Sequence, residues 1–337
     1  MKINRMVSLV VPVYNEEDNL RHFYRSVRDV MDKLPYHWEL IFVDDGSSDS
    51  SRTMLAEMEV QDERVRAIFL ARNYGHQTAL TCGLDHADGE AVISMDGDMQ
   101  HPPELLPRLL ELWEQGFDVV QAIRKATADA GFMKRLTSAG YYRLLNMITS
   151  VPIREGGSDF RLLDREAVLA LRQHREHARF LRGLVSSLGF RQTIFEFTAP
   201  PRFAGHSKYS LRKMLRLAMD GVFTCSAFPL RLGLYAGMTS AMFAVLLILY
   251  VLYETFVAQN GVSGWPAIVA CFAFFGGLQL MLMGVMGEYV ARIYDEAKQR
   301  PLYLVQEYGH ISDRRKRRVS NDEATEIKCS KSGECKR

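Results

Sequence analysis

Two aspartates separated by a single glycine, Asp96-Gly97-Asp98, close an apolar run at Ala91–Met95. Carboxylates two residues apart on an extended strand share a face, and a glycine between them lets the backbone come close to a ligand. Hard carboxylate oxygens suit Mg2+ or Mn2+ bridging two phosphates. The Asp-x-Asp pattern alone is weak, since a solvated turn capping a helix at Pro103 would account for one aspartate. It does not account for both, and Met99-Gln100-His101-Pro102-Pro103-Glu104 follows directly.

A second acidic cluster, Val43-Asp44-Asp45-Gly46-Ser47-Ser48-Asp49, ends another apolar run. Asp49 suits a helix N-cap and Gly46 a turn. Asp44 and Asp45 have no such task, and a carboxylate there could accept a hydrogen bond from a base or ribose. Pro12-Val13-Tyr14-Asn15-Glu16 follows the first apolar run. Tyr14 offers a stacking face and Glu16 an acceptor, while Asn15 can equally cap the next helix.

The elements that must hold these groups alternate. Val7–Val13, Leu40–Val43, Val65–Leu70, Ala91–Met95 and Val119–Ala122 read as buried strands. Asp18–Leu34, Ser50–Glu59, Gln77–His86 and Pro103–Glu114 carry helical spacing between them. This alternation predicts an α/β domain, a mostly parallel sheet with helices on both faces. Ligands of such sheets lie beyond the carboxyl ends of the strands, and the polar clusters follow strands one, two and four at that edge. From Arg124 to Arg202 the pattern is less regular: a helix around Phe132–Thr149, a Gly-rich loop at Gly156–Asp159 and a helix through Arg165–Arg172 are expected, as the second half of the same domain.

Two apolar segments, Leu232–Val257 and Pro266–Val290, each exceed the ~20 residues that cross a bilayer as helix. Arg212, Lys213, Arg216 and Arg231 precede the first; Arg292, Lys298 and Arg300 follow the second; the connector Ala258–Gly264 has neither Lys nor Arg. The positive-inside rule predicts a two-span hairpin in the cell membrane with both termini and the chemistry in the cytoplasm. Gly233 and Gly237 form a small-xxx-small pair in the first span. Before it, Leu211, Met214, Leu215 and Ala218 share a helical face, which suits a membrane surface or a core. The expected divisions are residues 1–207 catalytic, 208–229 amphipathic, 230–294 the two spans and 295–337 a basic tail with Arg314–Arg318 and a polar, disordered end.

Over 337 residues the formal charge is only +2, which does not point to nucleic acid. The five cysteines form no paired spacing for a metal or redox site, as expected of a reduced compartment. The stretch before Val13 lacks the apolar length and cleavage site of a secretory signal.

In their order and spacing, Pro12–Glu16, Asp44–Asp49 and Asp96–Glu104 resemble the inverting family 2 glycosyltransferases, which implies a GT-A, Rossmann-like fold. Gly157-Ser158-Asp159-Phe160-Arg161-Leu162 and Arg202-Phe203-Ala204-Gly205-His206-Ser207-Lys208-Tyr209 resemble the polyprenyl-phosphate subgroup, the bacterial relatives of dolichol-phosphate-mannose synthase. Gly287–Glu296 with Arg300-Pro301 is similar to the membrane-hairpin end of that branch. The resemblance covers nearly the whole chain apart from the last ~25 residues, whose composition is polar.

By this resemblance Pro12, Tyr14, Glu16, Val43 and Asp45 hold the nucleoside. Asp96, Gly97, Asp98 and Gln100 surround the metal and diphosphate, with Asp96, Asp98 and Gln100 as ligands of Mg2+ or Mn2+. Arg124, Arg135, Arg202 and Lys208 meet phosphates, and Asp159 and Asp98 are the catalytic carboxylates. The resemblance also implies a homo-oligomer. The sequence departs from the pattern at Gly97, commonly Ala, and at His206, where an acidic residue is common. The implied partners are a nucleotide-sugar and undecaprenyl or another polyprenyl phosphate, joined with inversion into a lipid-linked sugar for cell-surface glycans. UDP-glucose is favoured because Asp159-Phe160-Arg161-Leu162 is most like the glucosyl branch; UDP-galactose, UDP-N-acetylhexosamine and GDP-mannose stay open.

A phosphate acceptor is already anionic near neutral pH, with a second pKa of about 6, so it needs positioning more than deprotonation. Asp159 is then a base for the monoanion or an orienting group. A processive polysaccharide synthase would carry Gln-x-x-Arg-Trp and further spans, which are lacking here. A tethered nucleotide-sugar binding protein without catalysis would not need Asp96, Asp98 and Asp159 together.

Overall fold

The structure, a computed structural model, describes residues 5–124, 157–177, 179, 181–198, 228–256 and 264–308. The five expected strands all form, as Met6–Val13 (β1), His37–Asp44 (β2), Val65–Leu70 (β3), Ala91–Ser94 (β4) and Val119–Arg124 (β5). So do the four helices, as Glu17–Met31 (α1), Ser51–Gln61 (α2), His76–His86 (α3) and Leu106–Glu114 (α4), the last entered through a 3-10 turn at Pro103–Leu105. Beyond them lie Gly157–Asp164 (β6), Arg165–Gln173 (α5), Leu181–Ser187 (α6) and Gln192–Phe197 (β7). Two long helices follow, Phe228–Phe256 (α7) and Trp265–Ala297 (α8), and then a last strand, Val305–Tyr308 (β8).

The eight strands form one sheet in the order β7-β5-β6-β4-β1-β2-β3-β8. β1 pairs in parallel with β2 and β4, β2 with β3, and β5 with β7. β6 runs antiparallel between β4 and β5, and β8 closes the β3 edge antiparallel. The α/β class with a mostly parallel sheet is as expected.

Strand alternation builds the core on both faces. Val7, Leu9, Val11 and Val13 of β1 face one cluster, with Leu20, Phe23, Val27 and Met31 of α1 and Leu106, Leu109 and Leu110 of α4. Those α1 positions fall three or four apart, which is one side of a helix. Val10 points the other way, into a cluster with Ile41, Val43, Ile68 and α3, α5 and α6 residues such as Leu80, Val168 and Leu181. At Gly83 of α3 an added Cβ would stand 2.1 Å from Val10 Cγ1, so α3 lies closer to β1 than any larger residue permits.

Three corrections follow. Gly157–Asp164 is a strand, not the end of a Gly-rich loop: Ser94 pairs with Arg161 and Ala91 with Asp164, so the segment fills the gap between β4 and β5. Gln192–Phe197, unassigned from sequence, pairs with all of β5. The tail beginning at 295 is not merely a basic extension, because β8 belongs to the sheet: Ile68 pairs with Tyr308, and the Ala71 N–H donates to the Leu304 carbonyl at 2.9 Å.

α7 and α8 belong to a second compact unit. They are 29 and 33 residues long, about 44 and 50 Å at ~1.5 Å per residue, against a hydrocarbon core of ~30 Å. Both are long and apolar enough to cross a membrane, and their most apolar stretches are unburied. α8 runs seven residues past the expected Val290, to Ala297. Of the expected small-residue pair, Gly233 lies at a helix contact, where a Cβ would meet Leu282 Cδ2 at 2.8 Å, whereas Gly237 has nothing within 4 Å. The helix expected around Phe132–Thr149, the amphipathic segment at 208–220, the 258–263 connector and Arg314–Arg318 lie outside the described residues.

Candidate active site

The chain passes from β1 out to β3 and then returns to β4 on the other side of β1. Open α/β sheets bind ligands at such a reversal, beyond the carboxyl ends of the strands. Pro12–Glu16, Asp44–Asp49 and Asp96–Gln100 all leave the sheet at that edge, and Arg124 ends β5 there. β6 enters from the same edge, which sets Asp159 past the end of β4; the Ser94 hydroxyl donates to the Asp159 carbonyl at 2.6 Å.

The first two loops are laced together. Asn15 has a positive φ of 54°; its N–H donates to the Ser47 hydroxyl at 2.9 Å and its Oδ1 accepts the Ser48 N–H at 2.8 Å. Asn15 therefore ties the loop after β1 to the loop after β2 and does not cap α1. Glu16 occupies the N-cap position, accepts from Asn19 Nδ2 at 2.6 Å and donates its N–H to the Ser51 hydroxyl. Asp49 serves both helices: its oxygens accept the Ser51 N–H at 3.0 Å and the Glu17 N–H at 3.3 Å. Tyr14 is 40 % exposed, as a stacking platform requires, and Pro12 is half-buried. Val43 is different: its side chain is fully buried, packed toward Gly83 of α3.

Asp45 is spent on the loop after β3. Its oxygens accept the N–H groups of Tyr74 at 2.7 Å and Gly75 at 2.9 Å. Burial raises its pKa against the pull of those two bonds. Asp44 is also raised by burial; one oxygen accepts the Ser47 N–H at 3.1 Å and the other has no hydrogen-bond partner. Gly46, at φ +71°, is required where these loops touch: a Cβ would stand 2.7 Å from the Arg72 carbonyl carbon.

β4 ends at Ser94, so Asp96-Gly97-Asp98 forms a turn and not a strand end as expected. The Asp96 N–H donates to His101 Nδ1 at 2.8 Å, Asp98 Oδ1 accepts the Gln100 N–H at 3.1 Å, and Met99 has φ 64°. Since Nδ1 accepts, the His101 proton sits on Nε2, which lies 3.5 Å from Asp96 Oδ2. The His101 ring stacks on Phe160 at 5.0 Å. A Cβ at Gly97 would meet only Val11 Cγ1 at 3.4 Å, ordinary contact, so alanine fits where it is common.

The structure brings Asp96 and Asp159 to one point through a residue the sequence reading passed over. His76 Nε2, at the first position of α3, lies 3.5 Å from Asp96 Oδ1 and 3.3 Å from Asp159 Oδ2. Burial would lower the His76 pKa, but the Asp159 hydrogen bond and the Asp96 charge raise it to about 9. Gln77, Arg161 and Arg182 also meet Asp159. The available signal was Arg72-Asn73-Tyr74-Gly75-His76-Gln77, a polar cluster after the third strand at the same sheet edge. Arg135, Arg202 and Lys208 lie outside the described residues.

The donor set fits a hard divalent ion shared with a substrate. Asp96 Oδ1 is a buried carboxylate oxygen without a hydrogen bond, and Asp98 follows two residues on. Among the described residues no three His, Cys, Asp or Glu side chains are arranged to hold a metal ion by themselves. Mg2+ and Mn2+ sites of the phosphate-bridging kind take one or two carboxylates and complete their shell with phosphate and water.

The sheet is of the open α/β kind with acidic turns at its switch point, and residues 8–172 match the model of glycosyl transferase family 2. The chain belongs to that family. It is 43 % identical over 308 residues to an uncharacterized glycosyltransferase, YkcC, of Bacillus subtilis, covering 91 % of this chain and 95 % of that one. It is 40 % identical over 299 residues to the bactoprenol glucosyl transferase of Shigella phage SfX, and 37 % identical over 299 residues to a prophage bactoprenol glucosyl transferase homolog of Escherichia coli; each alignment covers 89 % of this chain and 98 % of the relative.

Proposed function

We propose that this protein transfers a hexose from a nucleotide-sugar, UDP-glucose in the first instance, to a polyprenyl phosphate with inversion at the anomeric carbon. The single observation that carries the reading is identity of about two residues in five with bactoprenol glucosyl transferases along almost their whole length, both apolar helices included. Asp96, Asp98 and Asp159, gathered at the sheet's switch point, are the groups such a transfer needs.

The residues divide by task. Tyr14 and Glu16 face the nucleoside, and Asp45 holds the loop that opens α3. Asp96 and Asp98, with Gln100, would hold Mg2+ or Mn2+; when bound, that ion neutralises charge developing on the leaving diphosphate. Arg124, Arg135, Arg202 and Lys208 are the cations proposed for donor and acceptor phosphates. α7 and α8 form a hairpin in the cell membrane with both chain ends on the cytoplasmic side, and the acceptor is a lipid of that membrane. An attacking phosphate oxygen displaces the diphosphate directly, and the protein's work is alignment and charge.

The purified protein incubated with UDP-glucose, UDP-galactose, UDP-N-acetylhexosamine or GDP-mannose and undecaprenyl phosphate tests this. Label in the lipid extract with UDP-glucose is expected, and the NMR anomeric assignment should show inversion. Label from none of the four donors, or a retained configuration, would overturn the proposal.

A further inference from the structure

Asp159 is 4 % exposed, and each of its oxygens meets more than one protein donor. Oδ1 accepts from Arg161 Nη2 at 2.7 Å and from Arg182 Nε at 3.3 Å. Oδ2 accepts from Arg182 Nη2 at 3.3 Å and from Gln77 Nε2 at 3.1 Å, and lies 3.3 Å from His76 Nε2. A general base needs a lone pair aimed at the proton it takes, and a pKa near the working pH. Asp159 has its lone pairs turned to Arg, Gln and His side chains. Burial would raise its pKa, but Arg182, the His76 hydrogen bond and Arg161 hold it well below the carboxylate range.

The two arginines differ in exposure. The Arg161 side chain is sealed in at 3 % exposed, whereas Arg182 is 36 % exposed and His76 40 % exposed. Asp159 thus holds the Arg182 guanidinium and the His76 imidazole beside one another, both partly exposed. The other acid at this point, Asp96, is the one that would serve the divalent ion. Arg182 pairs side-on with Asp159 through Nε and Nη2, and a planar guanidinium held in this way is preorganised for a tetrahedral oxyanion.

We propose that Asp159 is a positioning residue and not the proton acceptor of the transfer, and that the Arg182 and His76 side chains it holds form a seat for a phosphate group. This deepens the reading of the reaction given above and rests on it. The phosphate has two sources, the head of the polyprenyl acceptor and the diphosphate of the donor.

The test uses the full chain in detergent, with Arg182→Gln, Arg182→Lys, His76→Gln, Asp159→Asn and the Asp159→Asn/Arg182→Gln double variant. Equilibrium binding of UDP and of farnesyl phosphate is measured beside kcat and KM. A seat for the acceptor predicts that Arg182→Gln weakens farnesyl phosphate by about tenfold or more with UDP unchanged, and a seat for the donor predicts the reverse. Arg182→Lys should restore part of the loss, and His76→Gln should weaken the same ligand. The double variant should lose no more than the worse single one, because Asp159 acts through Arg182. Unchanged affinity for both ligands in Arg182→Gln would overturn the seat. Asp159→Asn with wild-type affinities and no turnover would overturn the positioning role, since that is how loss of a base reads. If Asp159→Asn does not fold, the half-exposed Arg182 and His76 variants decide. A wild-type chain that transfers no sugar would sink the reaction itself, while the two binding measurements still judge the seat.

Discussion

The backbone N–H of Asp96 donates to the Nδ1 atom of His101 at 2.8 Å. This single bond closes the acidic turn after β4 and fixes which nitrogen of the imidazole carries its proton. Stacking on Phe160 holds the ring in place, so the turn is anchored from the side of β6.

His101→Leu should therefore lower kcat/KM by about tenfold or more, the scale of one lost hydrogen bond at a charged site. His101→Asn places an amide oxygen near the position of Nδ1 and should recover most of that loss. Steady-state kinetics for both variants, with melting curves to check folding, decide it; equal damage from the two would show that the ring and not the acceptor atom matters.

If Asp98 holds a divalent ion as proposed, Asp98→Asn should reduce transfer by about a hundredfold or more while leaving the melting temperature near that of the parent, because a ligand and its charge would be lost but no core contact. The measurement is radiolabelled sugar in a lipid extract across a Mn2+ titration. Near-normal turnover at high Mn2+ would count against the metal role of this carboxylate.

Acid stability should depend on Asp62. Burial pushes its pKa up, but hydrogen bonds from Arg64 and Tyr24 prevail and bring it from 3.8 down to about 2. A folded-state pKa below the unfolded one means that the ionised group contributes stability above about pH 4, which is lost as pH falls through about 2. Asp62→Asn should cost about 1 kcal/mol at pH 7, a few degrees of melting temperature, and the difference should shrink as pH falls from about 4 through about 2. Thermal melts at several pH values give the answer, and a gap as wide near pH 2 as at pH 7 would refute the linkage.

Gly83→Ala should destabilise the sheet domain by about 2 kcal/mol, since the new methyl would overlap Val10 and push α3 off β1. Because Gly75, His76 and Gln77 enter this helix, donor affinity should fall along with the melting temperature. A variant as stable as the parent would mean that α3 has room to move.

The sequence made β1 to β5 legible because these strands are largely buried and read as apolar runs between helices. β6 escaped notice for a physical reason: Asp159 and Arg161 occupy buried strand positions, which their mutual pairing and the further partners of Asp159 allow. A charged strand interior looks like a loop until its partners are known. β7 is short and half-exposed, and β8 is four residues long. In the site, carboxylates in acidic turns stood out, whereas His76 and Arg182 did not, since a lone imidazole or guanidinium is ordinary until a fold brings it against Asp159.

β8 carries a consequence for how the protein is made. Ribosomes release a chain from its N-terminus, so β3 emerges long before Val305 and offers a bare row of N–H and C=O groups to any passing strand in the meantime. Tyr303 then docks its hydroxyl on Asp85 at 2.8 Å, beside the start of β8. The sheet is thus finished only after both apolar helices have been translated, and a chain stalled or clipped ahead of Val305 is left with a raw edge that chaperones and proteases can recognise.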